Sequence, residues 1–199
     1  MTEAAKGRMQ LLGVSLVLFT LMGALQAIYG PALPMLARET GRPLAEVSVV
    51  FTVHWVGSAA GVGVMFLLGP RITPRVVAMA LMLGAGLLGS GLGWGVTLAG
   101  ASLAGFGQGC AAVVFNPRLL SVFGARGPAM LNLINAIFGA GAIVGPLVLV
   151  LVGGAFGLVF LSLAVAFALL LPVAQDLGRA KLASGQAPFR PDPAILAFG

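Results

Sequence analysis

The chain has 199 residues, of which 59% are hydrophobic and only 8% are charged, and its mean hydropathy is +1.08. This composition excludes an ordinary soluble domain and indicates a membrane protein. The formal charge is +6, but the eleven Lys and Arg residues stand in small groups between apolar runs. That charge pattern is typical of membrane topology and argues against a nucleic-acid surface.

Six apolar runs follow one another along the chain, each of about 19 to 26 residues and long enough to cross a bilayer as a helix. Their predicted bounds are Gln10 to Met35, Val47 to Gly69, Val76 to Trp94, Gly95 to Phe115, Met130 to Gly153 and Ala155 to Val173. The segment GPALP is expected to close the first run, GPRITPR to separate the second from the third, and NPR to close the fourth. The pairs GW and GG predict tight turns after the third and fifth runs. The sequence therefore predicts an all-α integral membrane protein with six transmembrane helices.

The basic residues predict how this bundle is oriented. With the N-terminus inside, nine of them fall on the inner side; these are Lys6, Arg8, Arg71, Arg75, Arg118, Arg126, Arg179, Lys181 and Arg190. The outer side holds only Arg38 and Arg42. Because short cytoplasmic loops are enriched in Lys and Arg, we expect an inner-membrane protein with both termini in the cytoplasm. Residues 1–9 are then a cytoplasmic N-terminus, residues 10–173 the six-helix bundle and residues 174–193 a cytoplasmic linker.

A weak internal repeat relates the first three runs to the last three. Gly57 and Gly61 form a Gly-x-x-x-Gly step in the second run, and Gly141 and Gly145 form another in the fifth run, 84 residues further on. The proline-bearing ends of the first and fourth runs fall at a similar offset. Two groups of three helices must point in opposite directions, so we expect two inverted three-helix repeats, the arrangement of secondary transporters.

The fourth and fifth runs carry a family resemblance. The fourth reads LAGFGQGCAAVVFNP, and RGPAMLNLINAIFGAGAIVGPL follows it. This stretch resembles the N-terminal six-helix half of the major facilitator superfamily, and most closely its fucose and hexose symporter branch. The resemblance implies one half of a 12-helix fold that moves a sugar-like solute by alternating access, with a second six-helix half as partner. The final segment PDPAILAFG, residues 191–199, resembles the entry into a seventh helix, which would begin near residue 194.

Three features depart from that family pattern. The loop between the second and third runs keeps Arg71 and Arg75 of the family's gate signature but has no acidic residue. Gly105 stands where many relatives have an arginine in the fourth helix. No Asp or Glu lies within the six runs, so this half supplies no carboxylate for the proton coupling that the branch resemblance implies.

Polar residues inside the apolar runs are the candidate solute ligands. They are Gln26, Tyr29, His54, Gln108, Asn116, Asn132 and Asn135. An uncharged lining rich in amides suits the hydroxyl groups of a small neutral solute, because each amide both donates and accepts hydrogen bonds. The alternatives are that the amides only bond one another across helices, that Tyr29 belongs to the interfacial aromatic belt, and that His54 is a structural residue, a gate or a proton relay.

Helix geometry separates two faces of the fifth run. At about 100° per residue, Asn132, Asn135, Gly139 and Pro146 share one face, while Gly141 and Gly145 lie on another. We expect the glycine face to let a neighbouring helix approach closely, and Pro146 to permit a bend that a gating motion uses.

No motif of an enzyme, a metal site or a cofactor site is present, so no catalytic residue, metal or cofactor is predicted. The expected partners are the lipid bilayer, a small neutral solute and a second six-helix half, supplied by a continuation of the chain or by another copy. A different class of function remains open, in which the chain is a six-helix module that does not transport and acts as an assembly or regulatory partner.

Overall fold

The computed structural model describes residues 3–68 and 72–179. Within these ranges the chain is almost entirely helical and contains no strand. The helices are α1 (Glu3–Thr40), α2 (Leu44–Val47), α3 (Val49–Leu68), α4 (Pro74–Gly89), α5 (Trp94–Phe123), α6 (Gly127–Leu151) and α7 (Phe156–Arg179). A short 3-10 turn, Gly124–Arg126, joins α5 to α6. The prediction of an all-α fold is confirmed for the described residues.

Length and composition allow several of these helices to cross a membrane. In the described part of the chain, four helical stretches are long and apolar enough; they are Ala5–Thr40, Leu44–Met65, Trp94–Leu151 and Phe156–Ala174. The third of these contains both α5 and α6. Helix α4 is apolar but has only 16 residues, which corresponds to about 24 Å against a hydrocarbon core of about 30 Å. Large apolar side chains such as Val56, Leu83, Ile143 and Leu169 stand exposed on the outside of the bundle, as a lipid-facing surface requires.

Helices α3 and α5 pack in parallel through glycines that each helix presents to the other's backbone. A methyl group placed on Gly57 would overlap the carbonyl oxygen of Ser102, and one on Gly61 would overlap that of Phe106. From the other side, Gly105 and Gly109 lie in the same way against the carbonyl groups of α3. Residue numbers rise together along the two helices, so they run in the same direction.

Helices α1 and α6 pack in the same manner. A methyl group on Gly141 would overlap the carbonyl oxygen of Thr20, and one on Gly23 would overlap that of Phe138. At Gly145 the added carbon would lie 2.7 Å from the carbonyl oxygen of Ala24. This pair is also parallel, and small residues permit its close backbone approach.

The remaining long helices run antiparallel to their neighbours. Gly84 of α4 meets Ala104 of α5, whereas Gly107, further along α5, meets the earlier Leu81. The approach of Gly89 to Gly157 sets α4 against α7, again antiparallel because the earlier Gly86 meets a later residue of α7.

Contacts between α1 and α5 complete the account of direction. Phe19 packs edge-on against Phe115 with ring centroids 6.3 Å apart, and Gln26, further along α1, bonds the earlier Gln108 of α5. These two helices are therefore antiparallel. It follows that α1, α3, α4, α5, α6 and α7 alternate in direction along the chain.

Proline does not end the helices where the sequence predicted it would. Helix α1 continues through Pro31 and Pro34 to Thr40, and α5 continues through Pro117 to Phe123. Each proline removes one backbone hydrogen bond, and a helix packed against neighbours tolerates that loss. The prediction that GPALP and NPR close the first and fourth spans was wrong for this reason.

The first and last described helices extend beyond the apolar runs predicted from the sequence. Helix α1 already begins at Glu3 and takes in most of the predicted N-terminal tail, and α7 reaches Arg179, inside the predicted linker. The predicted start of a seventh helix lies outside the described residues. The fifth and sixth helices are joined by a turn in which Gly153 and Gly154 have φ of 66° and 83°, a left-handed conformation that favours glycine.

Candidate functional site

Besides Tyr29, three residues with polar side chains are buried in the apolar core of the described chain, and one of these three bonds to other helices. Ser15 and Thr97 satisfy their hydroxyl groups locally, because each donates to a carbonyl one turn back in its own helix. His54 of α3 has no exposed surface and finds its partners on two other helices. A buried imidazole that is held from both sides marks the place where the core departs from simple apolar packing.

His54 is the centre of a chain of hydrogen bonds that we name the polar chain: Tyr29, His54, Gln108 and Gln26. The Tyr29 hydroxyl lies 3.2 Å from His54 Nδ1, and His54 Nε2 lies 3.2 Å from Gln108 Oε1. Gln108 Nε2 then donates to Gln26 Oε1 over 2.7 Å. The polar chain therefore ties α1, α3 and α5 together, and it joins four of the seven predicted ligands.

Aromatic rings enclose the Tyr29 end of the polar chain. The Tyr29 ring contacts the rings of His54, Phe160 and Phe51, with centroid separations of 5.1, 5.8 and 6.0 Å. Tyr29 is only 2% exposed, which argues against a place in the interfacial belt. Gln26 and Gln108 are only partly buried, so the polar chain opens at its glutamine end.

Gly105 explains how α3 comes so close to α5 at this point. A methyl group there would overlap the His54 carbonyl oxygen and would lie 2.8 Å from the carbonyl carbon. An arginine side chain, which the resemblance stated in the sequence analysis leads us to expect at this position, has no room in such an interface. The departure noted in the sequence thus has a packing reason.

The three predicted asparagines are not joined to the polar chain. Asn132 and Asn135 are exposed on α6, and a methyl group on the neighbouring Gly139 would meet nothing within 4 Å. Asn116 is partly buried on α5, and its Oδ1 has no hydrogen-bond partner among the described residues. In the described part of the structure, no hydrogen bond joins Asn132 or Asn135 to either glutamine of the polar chain.

Of the residues predicted for packing and gating, four glycines are buried between helices, whereas the described arginine is exposed. Gly57, Gly61, Gly141 and Gly145 lie buried in helix interfaces, as described above. Pro146 lies inside α6. Arg75 is exposed at the start of α4, and Arg71 lies outside the described residues.

A second polar region, near the C-terminal end of α1, was not predicted from the sequence. Arg42 pairs with Glu46, and its guanidinium carbon lies 5.2 Å from the centroid of the Trp94 ring. A cavity of about 300 Å³ opens beside them, with Glu39 and Thr97 also in its lining. No periodic signal links the two residues, because Arg42 lies in the turn after α1 and Trp94 is the first residue of α5, and only the fold brings them together.

Comparison with protein-family models, with curated proteins and with solved structures found no match to this chain.

Proposed function

We propose that the chain is one six-helix half of a secondary transporter of the major facilitator type, which moves a small neutral polar solute by alternating access. The polar chain is the observation that carries this proposal. Amide and imidazole groups inside a membrane bundle are expensive, and they typically mark a solute or ion pathway. The solute is sugar-like by resemblance, since a sugar offers hydroxyl groups to an uncharged lining.

The register of the two parallel helix pairs supports an inverted repeat. In the α1–α6 pair, position 23 meets 138, position 20 meets 141 and position 24 meets 145. In the α3–α5 pair, position 105 meets 54, position 102 meets 57 and position 106 meets 61. Each α5 position therefore follows its α1 equivalent by 82 residues, and each α6 position follows its α3 equivalent by 84. Because α1 and α5 are antiparallel, the second pair repeats the first in the opposite direction. The same shift of 82 relates the two glutamines that bond each other.

The amide face of α6 supports a second six-helix half as partner. Asn132 and Asn135 are exposed in the single half, yet an amide left without partners in hydrocarbon costs several kcal/mol. A second half that encloses a water-filled cavity with this face removes the cost. The bends available at Pro31, Pro117 and Pro146 suit the rocking of two such halves.

The orientation belongs to the same proposal. The nine-to-two distribution of basic residues in the sequence favours an inner-membrane protein with both termini in the cytoplasm. Single cysteines at Thr2 and Ser184 are then expected to react only with reagents on the cytoplasmic side.

Binding in lipid nanodiscs by the protein with both proposed halves present, as a continuous chain or as an assembly of two copies, tests the proposed function. The probes are D-glucose, D-galactose, L-fucose and myo-inositol, with melting temperature and radioligand binding as readouts. We expect at least one of these neutral solutes to bind, and Gln108→Leu to abolish its binding. The matched control is Ser162→Ala, since Ser162 is exposed and donates only within its own helix. A folded wild-type chain that binds none of the probes favours the assembly or regulatory module instead.

A further inference from the structure

The direction of the hydrogen bonds along the polar chain determines whether its open end presents donors or acceptors to a ligand. We propose that the polar chain has a single polarity, from the Tyr29 hydroxyl to Gln26, and that its end presents amide N–H groups to an acceptor oxygen of a neutral solute. The polarity stands on the hydrogen bonds alone. The assignment of a solute rests on the proposed function.

The polarity follows from the atoms that face each other. Gln108 turns its Oε1 towards His54 Nε2, and a carbonyl oxygen can only accept, so Nε2 must carry the hydrogen. In the neutral imidazole Nδ1 is then an acceptor, and the Tyr29 hydroxyl donates to it. Gln108 passes the direction on, because its Nε2 donates to Gln26 Oε1.

The reverse polarity leaves a buried donor without a partner. With the hydrogen on Nδ1, His54 would donate to the Tyr29 oxygen, both glutamine amides would have to turn over, and Gln26 would end the chain as an acceptor. The Tyr29 O–H would then need another acceptor, and the described residues supply none to this 2%-exposed side chain. Stranding a buried donor is costly, so the structure favours the first polarity.

The open end of the polar chain is made of donors. Gln26 uses its Oε1 to accept from Gln108, and its own Nε2 has no hydrogen-bond partner in the described part of the chain. Gln108 Nε2 has a second hydrogen that the bond to Gln26 does not use. An ether, carbonyl or hydroxyl oxygen of a neutral solute matches these N–H groups. No charged side chain takes part in the polar chain, so nothing in it favours an ionic solute.

Burial divides the four residues into two roles. Tyr29 and His54 are closed off from any solute and act as positioning residues, because they orient the Gln108 amide. Gln26 and Gln108 are partly exposed and are the residues that contact the solute.

The single histidine of the sequence makes the polarity directly measurable. We suggest ¹⁵N solid-state NMR of the full chain, labelled only at histidine and reconstituted in lipid bilayers at neutral pH. We expect a neutral imidazole with its hydrogen on Nε2, and a weaker preference for that tautomer in Tyr29→Phe. A hydrogen on Nδ1, or an imidazolium at neutral pH, would overturn the proposal whether or not any solute binds.

Solute binding tests the donor end separately. For whichever of the four neutral probes binds the wild-type chain, Gln26→Met should weaken binding about tenfold, the scale of one lost hydrogen bond. His54→Leu should weaken binding similarly, and His54→Gln should restore most of it, because a glutamine amide can both accept from Tyr29 and donate to Gln108. Equal affinity of wild type, Gln26→Met and His54→Leu contradicts the donor end while leaving solute binding itself established. Failure of every probe to bind instead contradicts the proposed function, and the histidine spectrum still decides the polarity.

Discussion

The parallel pair α3–α5 and the parallel pair α1–α6 share one packing frame but differ in what they carry. In each pair, glycines of one helix lie against carbonyl groups of the other at matching positions. At one such position, α3 has His54 against Gly105, whereas α6 has Phe138 against Gly23. The first pair supplies His54 and Gln108 to the polar chain, which α1 completes with two further residues. Helix α6 instead carries its amides on an exposed face.

The comparison separates two groups of residues. The frame glycines, such as Gly105 and Gly141, let two helices pack closely, whereas other side chains form the hydrogen bonds. The frame needs only a missing Cβ at each crossing, since the contact is between a glycine and the partner's backbone. Gly57, Gly61 and Gly105 meet backbone atoms of the partner helix, so these contacts constrain the partner's backbone more than its side chains, although Gly145 also meets the Cβ of Ala24. A bulky Phe106 in one pair therefore corresponds to Ala24 in the other, where a groove of about 310 Å³ opens between α1, α6 and α7.

Substituting the frame glycines should have the largest effect and tests whether the two pairs are equivalent. Gly105→Leu and Gly141→Leu should each destabilise the bundle by about 1–3 kcal/mol or more, because even the first carbon of the new side chain overlaps a carbonyl oxygen. The matched control is Gly139→Leu on α6, where an added methyl group meets nothing within 4 Å. Melting temperatures in detergent measure all three. Loss of stability in only one of the two frame variants would show that the pairs are not equivalent.

Exchanging the chemistry of the first pair should have a smaller effect. His54→Phe installs the residue type found at the matching position of α6, and it strands the Tyr29 hydroxyl and the Gln108 carbonyl. We expect a loss of about 1–3 kcal/mol of stability. The double variant Tyr29→Phe, His54→Phe should lose less than the sum of the two single variants, because no tyrosine hydroxyl is left stranded. Additive losses in this double-mutant cycle would mean that the two side chains do not interact.

Part of the fold could be predicted from the sequence, because the length of apolar runs and the spacing of glycines are local signals. The two Gly-x-x-x-Gly steps predicted close helix contacts, and all four of their glycines are buried: Gly57, Gly61, Gly141 and Gly145. The helix ends were less legible. A proline such as Pro117 ends an isolated helix, but neighbouring helices compensate for the lost hydrogen bond within a bundle.

The residues of the polar chain could be predicted from the sequence, but their hydrogen-bond partners could not. Intramembrane Tyr29, His54 and Gln108 stand out by composition alone. Their order, and the separation of Asn135 from them, depend on how far each helix rotates about its axis, which packing decides. The contact of Arg42 with Trp94 had no sequence signal, since Arg42 lies in the turn after α1 and Trp94 begins α5, far along the chain.

The smallest stability effect is expected on the exposed face of α6. Asn135→Ala should change the stability by no more than about 0.5 kcal/mol, as for other exposed positions. If this face lines the solute cavity, the same variant should weaken solute binding by about 1–3 kcal/mol through lost hydrogen bonds. Melting and binding are measured on one preparation, with Asn132→Ala as the companion variant. A marked loss of stability with unchanged affinity would assign Asn135 to helix packing.

The inversion of one helix pair relative to the other is the central claim, and sided labelling tests it most directly. Ala45 follows α1 and Ala125 follows α5, and both are exposed. Single cysteines at these two sites, in a Cys110→Ala background, are to be probed in intact cells and in inverted vesicles with a membrane-impermeant maleimide. We expect the cysteine at position 45 to react only from outside and the one at position 125 only from the cytoplasm. Reaction of both from the same side would contradict the inverted repeat.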